Sequence, residues 1–276
     1  MFLSLAIPFP EWLDPVLLQI GPFALRWYAL AYIAGIALAW WYIGRLLKAE
    51  RLWRPGGAPM TIPQLDDYIL WATLGVILGG RLGFVFFYRP DLLADPLSVF
   101  RVWEGGMSFH GGLLGVTFAT IAFGLAQKIP LLRLGDLVAC ATPFGMLFGR
   151  LANFINGELW GRTTDVPWAI IFPAAGPEPR HPSQLYQAGL EGLALMAILA
   201  LAVWRGGALS RPGLTCGLFL LGMGIFRILG EQFRQPDAFL PEYPFGLSMG
   251  MMLSAPLAAA GIGLIVWTLT RPKAQA

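Results

Sequence analysis

The sequence predicts an all-α integral membrane protein with about seven transmembrane helices, an N-terminus outside and a C-terminus in the cytoplasm. Of its 276 residues, 57% are hydrophobic and only 13% are charged, whereas about 25% of residues are charged in soluble domains. Stretches of low charge recur along the chain and approach the roughly 20 residues that a helix needs to span a bilayer. The basic residues between these stretches are distributed unequally, which is typical of membrane topology.

Seven charge-poor segments each predict one spanning helix. In chain order they are Trp27–Gly44, Tyr68–Tyr88, Gly105–Gln127, Leu137–Phe154, Pro182–Trp204, Gly213–Phe233 and Pro244–Thr270. No connecting segment is long enough to fold alone, so we expect one polytopic domain over residues 1–276. The outer segments near residues 89–104, 158–183 and 234–246 are rich in Pro, Trp and Phe, which favours the membrane interface.

The connecting segments predict the orientation. Those that follow the odd-numbered helices contain ten basic residues: Arg45, Lys48, Arg51, Arg54, Lys128, Arg133, Arg205, Arg211, Arg271 and Lys273. The opposite segments contain five arginines among many acidic residues: Arg89, Arg101, Arg162, Arg180 and Arg234. Cytoplasmic loops carry the excess of Lys and Arg, so the side with ten is predicted to be cytoplasmic.

Several function classes are disfavoured by composition. The net charge of +3 reflects topology in such a chain rather than nucleic-acid binding, and we expect membrane lipids as partners. The two cysteines, Cys140 and Cys216, lie in apolar segments and are expected to be buried free thiols. No Cys and His cluster has the spacing of metal ligands, so no metal site is predicted.

Polar side chains within the predicted helices converge on the outer leaflet. This set comprises Tyr28, Arg81, His110, Arg150, Asn153, Asn156, Glu191, Arg227 and Glu231. Asp136, at the cytoplasmic start of the fourth helix, is the exception. A charge at the bilayer centre costs at least about 2.5–3.5 kcal/mol, so such groups are retained when they pair or act in chemistry.

The arginines predict an anion site. Arg227 and Glu231 are four residues apart and can pair on one helix face. The remaining arginines have few acidic partners, and a lipid phosphate is the ready anion in a membrane, which Arg binds with a planar fork. Arg81 could instead pair with Glu191 or extend to the headgroups.

The other polar residues also have two readings each. Asn156 could have no role beyond capping the end of its helix. Glu231 could orient Arg227 rather than act as a base. His110 stands in "GMSFHGGLLG" at a helix start, where it is either structural or a titratable group beside flexible backbone.

At this point a family resemblance becomes visible. The stretch "GRLANFINGELWG", Gly149 to Gly161, resembles the signature of the prolipoprotein diacylglyceryl transferases. The blocks "RWYAL" at 26–30, "FHGG" at 109–112, "HPSQLYQ" at 181–187 and "FRILGEQFRQPD" at 226–237 resemble family blocks in the same order. The resemblance covers almost the whole chain. One departure is Met223, since many relatives carry Tyr four residues before the arginine that corresponds to Arg227.

The resemblance implies a reaction in the bacterial inner membrane, with the active site toward the periplasm. These enzymes transfer the diacylglyceryl group of phosphatidylglycerol to the lipobox thiol of a preprolipoprotein and release glycerol phosphate, without a metal or organic cofactor. Arg150 and Arg227 would then stabilise the phosphate, and His110 or Glu231 would act as base. The lipid headgroup would be bound by a set that includes Tyr28, Arg81, Arg150, Asn153, Asn156 and Gly161.

Two non-enzymatic alternatives remain from the residues alone. A transporter would place polar groups at mid-bilayer and show internal repeats, and neither pattern is evident here. A non-catalytic protein that binds anionic lipid would share the arginines. The sequence leaves the oligomeric state open.

Overall fold

Seven apolar helices make up most of the chain in the computed structural model, which describes residues 6–21, 23–53, 56–101, 105–236 and 247–271. We number them α1 Trp27–Lys48, α2 Ile62–Tyr88, α3 Phe109–Ala126, α4 Leu131–Ile155, α5 Ser183–Trp204, α6 Leu214–Glu231 and α7 Met249–Thr270. Six are long and apolar enough to cross a membrane, and the stretch His110–Ala126 of α3 is shorter. The predicted class, an all-α integral membrane protein, is confirmed.

Helix boundaries differ from the sequence prediction by several residues. Helix α2 begins at Ile62 rather than Tyr68, because Thr61 and Gln64 form a reciprocal capping box in front of it. Helix α4 begins at Leu131 rather than Leu137. In both cases the first turns contain charged residues that end the apolar run but not the helix. The predicted outer segments fall only partly in the described ranges, since residues 102–104 and 237–246 lie outside them.

The described residues group into two compact units, residues 43–135 and residues 1–42 with 136–276. In the first unit α2 and α3 pack along a seam of small residues: Gly75, Gly79, Gly83, Gly111 and Gly115. A Cβ on Gly83 would lie only 2.7 Å from the Gly111 Cα. Small residues let membrane helices approach closely, so the packing depends on these glycines.

The second unit contains α4 to α7 and most of α1. Helices α6 and α7 also meet through small residues, since a Cβ on Gly224 would lie 2.8 Å from the Ala258 Cβ and from the Ser254 carbonyl oxygen. Four short strands accompany the helices and were not predicted. Strand β1 (Ile7–Pro8) pairs in parallel with β4 (Ile170–Ile171), and β2 (Val16–Ile20) pairs antiparallel with β3 (Phe23–Arg26).

Asp136, the acidic residue apart from the outer cluster, joins α4 to the start of α6. Its carboxylate oxygens accept hydrogen bonds of 2.7 Å from the backbone N–H groups of Gly213 and Cys216, and the side chain is buried. These donors belong to the first turn of α6, where N–H groups lack helical partners and the helix dipole favours negative charge. Cys140 and Cys216 are free thiols, as predicted, although only Cys140 is fully buried.

We predict that Asp136→Ala destabilises the protein by about 2 kcal/mol, because it removes a charged cap from buried N–H groups. Thermal unfolding in detergent should show a clearly lower midpoint. The matched control is Asp91→Ala, which removes a carboxylate from an exposed pair with Arg89 and should change stability little. Equal midpoints for the two variants would contradict the capping role.

Candidate active site

The signature stretch forms the end of α4 and the turn after it. Helix α4 ends at Ile155, and the chain reverses through Gly157 at a positive φ of 63°. The side-chain amides of Asn153 and Asn156 both point to Glu158 and donate to its Oε1 over 2.7 and 3.4 Å. The two asparagines therefore hold a carboxylate beside the helix end, a partner that the sequence analysis did not foresee.

Glu191 is the centre of the charged cluster. It lies on α5, and its side chain is 0% exposed. Its Oε2 accepts hydrogen bonds from Nε and Nη2 of Arg150 at 3.3 and 3.2 Å, and its Oε1 lies 3.6 Å from Nη1 of Arg227. One buried carboxylate thus bridges arginines from α4 and α6. Burying a charge is tolerated when it is paired in this way.

The cluster continues along α6. Arg227 Nη2 lies 3.1 Å from Glu231 Oε2, which confirms the predicted pairing, and Arg234 Nη1 lies 3.8 Å from Glu231 Oε1. Three guanidinium groups and two carboxylates make up this five-residue network. Arg227 Nη1 is buried and makes no hydrogen bond within the described residues, although it lies 3.6 Å from Glu191 Oε1.

Two backbone features place the carboxylates. Residues Ala188–Ala194 of α5 form a π-helical turn that contains Glu191, and such turns recur at functional sites because they re-aim side chains. Glu231 lies against Gly250 in the first turn of α7, where an added Cβ would be 2.7 Å from its carboxyl carbon. The helix dipole of α7 favours negative charge at that position.

Gly161 is a packing residue in this structure. Its N–H donates to the His181 carbonyl at 2.9 Å, and a Cβ there would lie 2.5 Å from the Phe233 carbonyl oxygen and 2.6 Å from the His181 Cβ. A side chain at residue 161 would therefore push apart the segments that contain His181 and Phe233. The family resemblance implies that Gly161 belongs to the lipid headgroup site.

His181 lies in an aromatic cluster beside Gly161. Its Nδ1 is 3.1 Å from the Tyr186 hydroxyl, which accepts a 2.6 Å hydrogen bond from Trp168 Nε1. The hydroxyl can donate its own proton to Nδ1 when the ring is neutral. Burial lowers the pKa of His181, which also favours the neutral form.

Arg81 has partners other than those predicted. Its side chain, on α2, is 5% exposed. Its guanidinium donates to four backbone carbonyls within its own unit, those of Ser98, Val99, Gly105 and Gly106, at 2.6–3.2 Å. Glu191 is held by Arg150 and Arg227 within the other unit. In the structure Arg81 anchors a loop instead of presenting a free fork to a phosphate.

His110 and Tyr28 lie near the beginnings of their helices. His110 is the second residue of α3, exposed, and follows the N-cap Ser108. Tyr28 is the second residue of α1, and its ring centroid is 5.3 Å from that of Tyr32. Met223 lies on α6 one turn before Arg227.

The sequence analysis gave Glu158 no role in the site and considered Glu191 only as a partner for Arg81. The signal for Glu191 was present, because it is the one acidic residue in the apolar segment 182–204. Glu158 lies inside the signature stretch, but its contact with two asparagines depends on the turn at Gly157.

Comparisons with known proteins agree on one family. The model of the family described as prolipoprotein diacylglyceryl transferase matches residues 15–267. A relative named phosphatidylglycerol–prolipoprotein diacylglyceryl transferase, from Rhizobium leguminosarum bv. trifolii, is 53% identical over 98% of this chain and 95% of its own. Relatives of that name from Rhodopseudomonas palustris and Bradyrhizobium diazoefficiens are 53% and 54% identical, over 97% of this chain and 94% and 95% of theirs.

We predict that Gly161→Ala and Gly149→Ala have opposite effects although both residues belong to the signature stretch. The Cβ at 161 meets backbone and should cost about 1–3 kcal/mol. At 149, within α4, nothing lies within 4 Å, and Ala should be neutral or stabilising. Thermal unfolding in detergent compares them, and an unchanged midpoint for Gly161→Ala would refute the packing role.

Proposed function

The chain belongs to the prolipoprotein diacylglyceryl transferase family, and we propose on that premise that it transfers the diacylglyceryl group of phosphatidylglycerol to a lipobox cysteine. The acceptor is the thiol of a preprolipoprotein, and the products are a thioether and glycerol phosphate. The chain is a transferase and a multi-pass membrane protein. The reaction takes place at the periplasmic face of the inner membrane, which the excess of basic residues in the opposite loops supports.

The bridge through Glu191 is the observation that carries the assignment of the phosphate site. Arg150 and Arg227 come from different helices and are held side by side by one buried carboxylate. Arg150 donates to Glu191 through Nε and Nη2, which leaves Nη1 for a ligand, whereas Nη1 of Arg227 faces Glu191 Oε1 at 3.6 Å. Two guanidinium groups fixed in this way can bind a lipid phosphate without reorganising.

The departure of the phosphate group is the part of the reaction that most needs stabilisation by the protein. The cysteine sulfur attacks the glyceryl carbon that bears the phosphate, the C–S bond forms, and the C–O bond breaks with its electron pair on the phosphate oxygen. Arg150 and Arg227 stabilise the charge that develops on that oxygen. Neither arginine needs to gain or lose a proton, since the guanidinium remains charged.

A base must take the thiol proton, because a thiol with a pKa near 8.5 is largely protonated at neutral pH. His110 is the first candidate, since imidazole is the side chain most often used as a general base, and Glu231 is the second. We assign Glu231 mainly to the orientation of Arg227, given their 3.1 Å contact. Asn153 and Asn156 act through Glu158, whose carboxylate they position, while Tyr28 and Gly161 support the headgroup site.

The direct test is transfer by the purified protein in detergent. Phosphatidylglycerol labelled in its acyl chains is mixed with a lipobox peptide, and a Cys→Ser peptide serves as control. Label on the cysteine peptide alone is expected. Lipid binding without transfer, by folded protein, would overturn the proposal and favour a non-catalytic protein that binds anionic lipid.

We predict that Arg150→Lys lowers kcat/KM by about 100- to 1,000-fold, because Lys keeps the charge but loses the planar fork. The matched control is Arg89→Lys, at an exposed arginine paired with Asp91, which should retain wild-type rates. Transfer kinetics with labelled lipid provide the measurement. Near-normal activity of Arg150→Lys would remove the fork from the mechanism.

We predict that the two histidines of the chain differ in their effect on the rate. His110→Gln should lower the transfer rate by about 100- to 10,000-fold, as for loss of a general base, whereas His181→Gln should have a much smaller effect. The transfer rate at saturating lipid, measured for both variants after their folding is verified, is the discriminating readout, since only loss of the base slows removal of the thiol proton. A wild-type rate for His110→Gln would assign proton transfer to another group.

A further inference from the structure

Helix α5 has a polar face that is completely buried. Ser183, Gln184, Gln187 and Glu191 are each 0% exposed, and their spacing of three to four residues places them along one side of the helix. In an otherwise apolar membrane helix this face must turn toward protein or a polar site, because lipid offers no hydrogen bonds. Glu191 marks the end of the face at the phosphate site.

Gln187 differs from its neighbours on this face. Ser183 donates to the Leu159 carbonyl at 2.9 Å, and Gln184 donates to the Glu158 carbonyl at 2.5 Å. Neither the amide oxygen nor the amide nitrogen of Gln187 has a hydrogen-bond partner in the described part of the chain. A buried amide without partners is unfavourable, so a group from outside the protein is the natural partner.

The position of Gln187 connects it to the arginines. A Cβ on Gly230 would lie 3.1 Å from the Gln187 Cγ and 3.6 Å from its Nε2, so the amide lies against Gly230 of α6. Glu191 follows four residues later on α5 and holds Arg150 and Arg227. The uncharged amide is thus about one helical turn from the carboxylate that holds the arginines.

The hydrogen-bonding groups of the Gln187 amide indicate which kind of ligand it can bind. It donates from nitrogen and accepts at oxygen, whereas a phosphate only accepts. A hydroxyl group does both, and the headgroup of the proposed donor lipid is a glycerol whose hydroxyls lie a few bonds from the phosphate. We propose that Gln187 binds these headgroup hydroxyls and makes the site selective for a hydroxyl-bearing phospholipid, an inference that rests on the proposed function.

The test compares two lipids in two proteins. Phosphatidylglycerol and phosphatidylpropanol with the same acyl chains share the charge and the phosphodiester, but the second lacks the headgroup hydroxyls. Wild-type protein should prefer phosphatidylglycerol in kcat/KM by about 10- to 100-fold. Gln187→Met, which keeps the size of the side chain, should reduce that preference to within about threefold and leave transfer from phosphatidylpropanol near the wild-type rate.

Gln184→Met is the matched control, since Gln184 has a protein partner on the same face. It should lower transfer from both lipids by the same factor, as a structural change would. The inference is overturned if Gln187→Met behaves like Gln184→Met, if it keeps the preference, or if the wild-type protein does not distinguish the lipids. The comparison of the two lipids in the wild-type protein needs no variant, so it tests the inference even if Gln187→Met does not fold. No transfer from either lipid by wild-type protein would overturn the proposed function as well.

Discussion

The buried carboxylate of Glu191 is the constraint on which the site depends. An unpaired arginine inside a bilayer is costly, and here one acid on α5 pairs with Arg150 on α4 and Arg227 on α6. These contacts tie three helices together at one point and fix two guanidinium groups side by side. Binding of a phosphate then requires no change in the protein, which is the condition for effective electrostatic stabilisation of a leaving group.

Glycines at close contacts make this arrangement of charged side chains possible. Glu231 reaches the first turn of α7 because Gly250 has no side chain, and Gly161 lets two other segments close around it. The π-helical turn at Ala188–Ala194 presents Glu191 to both arginines. The glycines therefore set the distances between segments, whereas Arg150 and Arg227 are the proposed phosphate ligands.

Much of the fold follows from the sequence, because composition and the length of the apolar segments determine how many helices are able to cross a bilayer. Helix ends depend instead on local caps such as Thr61, which an apolar count does not register. In the site, spacing within one helix predicts the pair of Arg227 and Glu231. Contacts between separate segments are not encoded in spacing. Arg81 therefore bonds to loop carbonyls that the sequence did not indicate, and Glu191 holds partners on two other helices.

The central claim is tested most directly by transfer kinetics of Glu191→Gln, with helix content verified by circular dichroism. Gln keeps the size of the side chain but removes the charge that holds the two arginines, and loss of one partner of a buried ion pair is strongly unfavourable. The account predicts a folded protein whose kcat/KM for phosphatidylglycerol falls by at least about 100-fold. Wild-type kinetics in the folded variant would contradict it and show that the arginines need no bridge.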